Sequence, residues 1–261
     1  MTQQPCIKKT INRPLRLLVM LIMVLSLSGC MYWVRAYQTY LQMDEFDSHF
    51  SFSVTPAGDF TLNFKEPILF SEDFVSLSKL YASEDTVTPE GRRWRYWFRK
   101  LDAKGKIIKP EIKFYSDLYF NQEKKITAWS FSKLFLQIAP QKFLEASLRA
   151  IGGGKIDKEK RQLRANPEGL EKIADALPKK AAVIAQLGEP LSIVNEPDKE
   201  IYVYRFLLET PLVEKGYEDR VFNDVNITFD KKTQDLIRMK GRFAGLKASI
   251  NYRKFQENPA E

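Results

Sequence analysis

From Leu17 to Val34 the chain runs eighteen residues without a charge, and Lys8, Lys9, Arg13 and Arg16 lie just before that run. No acidic residue occurs among the first 29 positions. A basic stretch, an apolar core over Leu17 to Leu27, and then small residues before a cysteine, Leu27-Ser28-Gly29-Cys30, form the layout of a secretory signal. Cleavage after Gly29 removes residues 1–29 and makes Cys30 the first residue of the folding chain. The alternative is an uncleaved transmembrane helix, since eighteen uncharged residues just suffice to span a bilayer. The basic residues on its N-terminal side would then keep that end inside. Both readings put the bulk of the chain on the far side of a membrane. Ser28-Gly29 suits a peptidase site better than the middle of a span.

Residues 30–261 bound what remains. They number 232, enough for one sizeable core or two small ones. Without the four leader charges there are 37 basic against 33 acidic side chains, mixed along the chain with no long block of one sign. That pattern argues against a nucleic-acid partner. Of two cysteines, Cys6 lies in the leader and Cys30 at the cleavage point, so the folded part has no disulfide and depends on packing. An aromatic content of 13% supplies material for it.

Along the chain, residues 30–49 read as a tether that becomes a short helix. Tyr32 and Trp33 follow the cysteine directly, where amphipathic rings suit a membrane–water interface. Phe50, Phe52 and Val54, a Pro56-Ala57-Gly58-Asp59 turn, and Phe60, Leu62 and Phe64 read as a hairpin. Ser71-Glu72-Asp73 caps a short helix. Arg93 to Leu101, Ile112 to Phe120 and Ile126 to Phe131 read as strands. A helix opens at Pro140 with Phe143, Leu144, Leu148 and Ile151 on one stripe. Gly152-Gly153-Gly154 is the best boundary in the chain, with Lys155 to Arg164 as a linker or exposed helix. Helices are expected over residues 167–176 and 178–187. Strands follow over 200–207, 221–229 and 236–243, with an edge strand over 247–252.

These elements predict an α+β fold of two tandem units plus an N-terminal hairpin, residues 50–154 and 155–261. Each unit is a small three-stranded antiparallel meander packed by helices. The matching order leaves open either duplication or a chance likeness of two small α+β units.

Two resemblances sharpen this expectation. Leu27-Ser28-Gly29-Cys30 resembles the lipobox of bacterial lipoprotein signals, which implies a lipid on Cys30 and, with Met31 rather than aspartate next, an outer-membrane, periplasm-facing location. Leu187-Gly188-Glu189-Pro190, Tyr202 and Tyr204, and Thr228-Phe229-Asp230 with its polar turn resemble the SmpA/OmlA (BamE-like) lipoproteins over roughly residues 167–245. The tandem modules of β-lactamase inhibitor proteins are related in shape. Those families imply a helix pair on a three-stranded sheet and protein partners in the envelope.

The search for chemistry turns up little. His49 is the only histidine, and neighbours as close as Asp47 and Ser48 do not assemble a triad with it. One imidazole and no thiol do not make a metal site. Ser76–Lys79 and Ser130–Lys133 have a Ser-x-x-Lys spacing without the companion motifs of penicillin-binding enzymes. No catalytic residue, metal or cofactor is expected. The distinctive surface candidate is Arg93, Arg95, Trp97 and Arg99, which share one face of a strand while Trp94, Tyr96 and Phe98 share the other. Tryptophan among arginines suits a binding surface; the plainer alternative is arginine stems covering a half-buried ring. The expected role is a non-catalytic binding or scaffolding module, with a glycan-directed envelope enzyme or a carrier of lipid or another small ligand as alternatives.

Overall fold

The computed structural model describes residues 31–152, 154–157, 162–164, 166–243 and 246–257. Gly29, Cys30 and the rest of the expected leader lie outside the described residues. Helix α1 (Met31–Gln42) and a one-turn helix α2 (Phe46–His49) lead into the hairpin β1 (Phe50–Val54) and β2 (Phe60–Phe64). Helix α3 (Ser71–Ser78) precedes β3 (Glu84–Thr88), β4 (Gly91–Lys100), β5 (Lys113–Asn121) and β6 (Ile126–Phe131). Helix α4 (Gln141–Arg149) and the short pair β7 (Lys155–Asp157) and β8 (Gln162–Arg164) come next. Helix α5 (Lys180–Leu187) then leads to β9 (Ser192–Asn195), β10 (Lys199–Glu209), β11 (Phe222–Asp230), β12 (Leu236–Phe243) and β13 (Leu246–Asn251).

The two expected meanders are not separate units. Eleven strands form one curled antiparallel sheet, ordered β1-β2-β6-β5-β4-β10-β11-β12-β13, with β3 beside β4 and β9 beside β10. The reason lies in mismatched strand lengths. β3 covers β4 only from Gly91 to Arg95. β9 covers β10 only from Glu200 to Val203. Each long strand is left with an uncovered C-terminal half, and an open edge of that kind invites pairing. The two halves pair with each other through Phe206–Lys100, Leu207–Arg99, Leu208–Phe98 and Glu209–Trp97. Neither β3 nor β9 was expected from the sequence. With them, both halves share one order of a helix, a short strand, a long strand and two more, to which the second half adds β13.

Alternation puts Tyr96, Phe98, Phe114, Leu118, Phe120, Tyr202, Tyr204, Phe206, Val225, Ile227 and Phe229 on the covered face. Beneath the seam an aromatic cluster spans both halves. Phe98 stacks on Phe114 with centroids 4.8 Å apart, and Phe114 meets Phe206 edge-on at 5.0 Å. Phe135 joins Phe114 to Phe243 from the connection after β6. Lys100 also points inward here. Its ammonium donates to the carbonyls of Leu187 and Glu189, at the C-terminal end of α5, where a cation meets unpaired carbonyls. Burial lowers its pKa.

A twisted sheet of this size curls, and α4 lies between its two outermost strands. Leu148 packs on Phe46, Phe50 and Leu62 on one side, while Phe143 meets Tyr252, next to the end of β13, on the other. The glycine boundary is a point of contact. A Cβ on Gly152 would sit 2.1 Å from the Met43 carbonyl oxygen, so only glycine lets these backbones touch. The expected linker 155–164 contains the β7–β8 pair. The helix expected over 167–176 is absent. Its backbone is engaged instead by the C-terminal segment, with Ile173 donating to the Phe255 carbonyl and Glu257 to the Ile173 carbonyl. Ser71 is the first helical residue of α3 rather than its cap; the Asp73 carboxylate takes the N–H of Phe70.

All four tryptophans precede residue 130, so their fluorescence reports only the first half. Phe206→Ala in β10 should lower stability by about 3–5 kcal/mol and shift the fluorescence midpoint in urea as far as the far-ultraviolet circular dichroism midpoint. A fluorescence midpoint that stays at its wild-type value would show two independent units.

Candidate functional site

Two regions merit description as sites, and the sequence singled out only the first. Arg93, Arg95, Trp97 and Arg99 share the uncovered face of β4. Across from them the alternation of β5 places Lys113, Tyr115, Asp117 and Tyr119 on the same face. Asp117 is 1% exposed. Arg95 grips it through both oxygens at 2.8 and 2.7 Å, and its guanidinium lies 3.8 Å from the Tyr115 ring centroid. This pairing raises the Arg95 pKa further above its ordinary range. The Tyr115 hydroxyl donates to Asp59 at 2.6 Å; burial, then that bond, push its pKa up to about 12.

Trp97 sits edge-on to Tyr115 at 5.1 Å, and its indole N–H donates to Glu84 at 2.7 Å. Arg93 reaches the other oxygen of Glu84 at 3.7 Å. Arg99 pairs with Glu209 at 2.7 Å and Glu111 at 3.3 Å, and Lys113 lies 4.6 Å from the Trp97 centroid. Every arginine of the predicted patch therefore has an acid, supplied by Glu84, Glu111, Asp117 and Glu209. Strand alternation indicates that Asp117 faces away from Phe114 and Leu118. No sequence signal indicates that register sets it against Arg95.

The second region is a groove of about 650 Å3 along the free edge of β1, with Gln141, Glu145 and Arg149 of α4 as the opposite wall. Its chemistry follows from the ladder. Lys65 donates to the His49 carbonyl and Thr55 to the Asp59 carbonyl. In an antiparallel pair such residues alternate with ones whose backbone groups point away. His49, Ser51, Ser53 and Thr55 therefore bond to β2, and the N–H and C=O groups of Phe52 and Val54 face the groove. The Phe50 N–H is taken by Phe46. Val54 is 52% exposed.

The groove wall is braced by ions. Arg149 pairs with Asp47 at 2.8 Å and Glu145 at 3.3 Å, while its guanidinium covers the Phe46 ring at 4.7 Å. The pairing with Arg149 lowers the Asp47 pKa. His49 lies nearby, 3.0 Å from the Glu66 carboxylate. The sequence showed the hairpin but not that α4 would stand beside its open edge. Among the described residues no group of three or more His, Cys, Asp and Glu side chains is placed to hold a metal ion, and no helix is long and apolar enough to cross a membrane.

No protein-family model matches the chain, and no curated protein or solved structure matches it either.

Asp117→Asn should cost about 3 kcal/mol, because it strands a mostly buried guanidinium. Glu84→Gln, at an exposed pair, should cost about 0.5 kcal/mol. Urea unfolding of both variants checks the contrast, and equal effects would show that the ladder is solvent-screened throughout.

Proposed function

We propose that this chain is a non-catalytic adaptor of the bacterial envelope, held by a lipid on Cys30 at the periplasmic face of the outer membrane. In this reading it binds an extended segment of another envelope protein as an added strand beside β1. The open edge of β1 carries the proposal. It offers backbone groups at Phe52 and Val54 that have no partner among the described residues, with an open groove beside them, which is the arrangement strand addition uses. A fitting segment places apolar side chains over Phe52 and Val54 and small or polar ones toward Ser51 and Ser53. The groove's charges are balanced, so the segment needs no strong charge of its own.

The leader layout supports the location. The likeness to SmpA/OmlA lipoproteins supports the anchored, partner-binding role; the helix pair on a three-stranded sheet that it implied is not the architecture here. A carrier would need a hollow beneath the sheet, and that space is filled by Phe98, Phe114, Phe131, Phe135 and Phe206. The closed ion-pair ladder around Trp97 serves the sheet itself better than a ligand.

Two measurements test the proposal. Mass spectrometry of the native protein should find an acylated Cys30 at the N-terminus; an intact Met1 with an unmodified Cys30 would remove the lipid and leave the uncleaved span as the anchor. A photocrosslinker at Glu145 should capture a β-prone partner segment in intact envelopes. Val54→Pro, which removes an N–H facing the groove, should leave stability near wild type but cut that capture at least about tenfold. Ser53→Pro, which removes a ladder bond to β2, should destabilise the fold. Capture that survives Val54→Pro rules out strand addition, and crosslinks only between differently tagged copies would point to self-association.

A further inference from the structure

Helix α1 has two unlike sides. One is fastened to the body. Arg35 makes a two-pronged ion pair with Asp73, at 2.8 and 2.5 Å, and Asp73 is 1% exposed. The Arg35 guanidinium also lies 5.0 Å from the Phe70 ring centroid. Thr39 is buried, and the Tyr40 hydroxyl donates to the Gly154 carbonyl at 2.9 Å. These bonds connect α1 to the start of α3 and to the segment after α4.

The other side has no partner outside the helix among the described residues; Trp33 meets only the neighbouring Tyr32 ring and Tyr37 stacks on Tyr40. Met31, Trp33, Val34, Tyr37 and Leu41 are each 46–55% exposed. Trp33, Tyr37 and Leu41 follow each other at four-residue spacing, and Val34 and Met31 flank that row on the same arc of the helix. The only other residue on the arc is Gln38. Arg35 is the one charged residue in α1, and it is turned inward. Single exposed apolar side chains are ordinary, but five together with no charge between them mark an interaction surface.

We infer that this face lies in the headgroup–acyl boundary of the membrane that holds Cys30. The inference rests on the anchored reading above. Chain continuity selects the occupant: Met31 directly follows Cys30, and the apolar run 17–27 lies just before it. With a lipid on Cys30, α1 begins at the bilayer surface. A tryptophan, a tyrosine and aliphatic side chains on one arc suit that depth. With no lysine or arginine on the arc, binding relies on apolar burial and not on anionic lipid. Because the Arg35–Asp73 pair fastens α1 to the sheet, seating the helix sets the tilt of the whole body over the membrane. The lipid supplies attachment and the helix face supplies orientation.

Full-length protein reconstituted into phosphatidylcholine vesicles tests this. The fluorescence lost in Trp33→Phe isolates the Trp33 signal from those of Trp94, Trp97 and Trp129. That component should be quenched about twofold or more by lipids brominated near the headgroup end of the acyl chain, and should resist aqueous iodide. Replacing a quarter of the lipid with phosphatidylglycerol should change neither result. Vesicle-bound protein whose Trp33 is quenched by iodide overturns the inference and leaves the anchor intact. A Trp33 shielded from both quenchers assigns the face to protein, a second copy included, and also overturns it. Protein that does not float with the vesicles removes the anchored reading and this inference together.

Discussion

Four residue pairs between the C-terminal halves of β4 and β10 hold this molecule as one body. Without them each half would end in an uncovered strand edge, with Phe98 and Phe206 over a divided core. With them the sheet is continuous, the phenylalanines of both halves meet, and curvature accumulates over eleven strands. Lys100 belongs to the same seam. It lies on the core face at a junction position and turns its charge to the end of α5, so the helix of the second half is fastened to a strand of the first.

Curvature then determines where binding chemistry can occur. The curled sheet leaves a space between β1 and β13, and α4 fills it without sealing it. The remaining groove runs beside β1, where the backbone groups of Phe52 and Val54 point outward. The uncovered face of β4 has the residue types of a binding surface, yet its cations and rings are engaged with one another and with four acids. Apparent hot-spot composition there is spent on cross-strand pairing. The β1 edge and the outer side of α1 keep unsatisfied character, one offering hydrogen bonds and the other apolar area.

Much of this was legible from local pattern. The first hairpin, the core strands of each half, and the separation of Trp97 from Phe98 on opposite faces follow from turn residues and alternation. Other elements were not. β3 and β9 are short and largely exposed, and Val87 and Val194 carry no amphipathic signature. Residues 167–176 have helix-compatible composition, but their backbone finds its partners in the C-terminal segment. The Gly152–Gly154 run looked like a joint because glycine permits flexibility; at Gly152 the absence of a Cβ serves close approach to Met43.

By itself, the sequence determined the basic and then apolar pattern of residues 8–29 ahead of Cys30, the period-two faces of the strands and the charge balance, because each of these depends on residues near one another in the chain. Only the tertiary structure decided that two meanders share one sheet, that Asp117 meets Arg95, and that α4 stands beside an open β1. Register between strands a hundred residues apart, and the curl that brings the sheet's edges toward one helix, depend on which long-range pairings cover the most exposed edge and apolar surface. No local pattern encodes that competition.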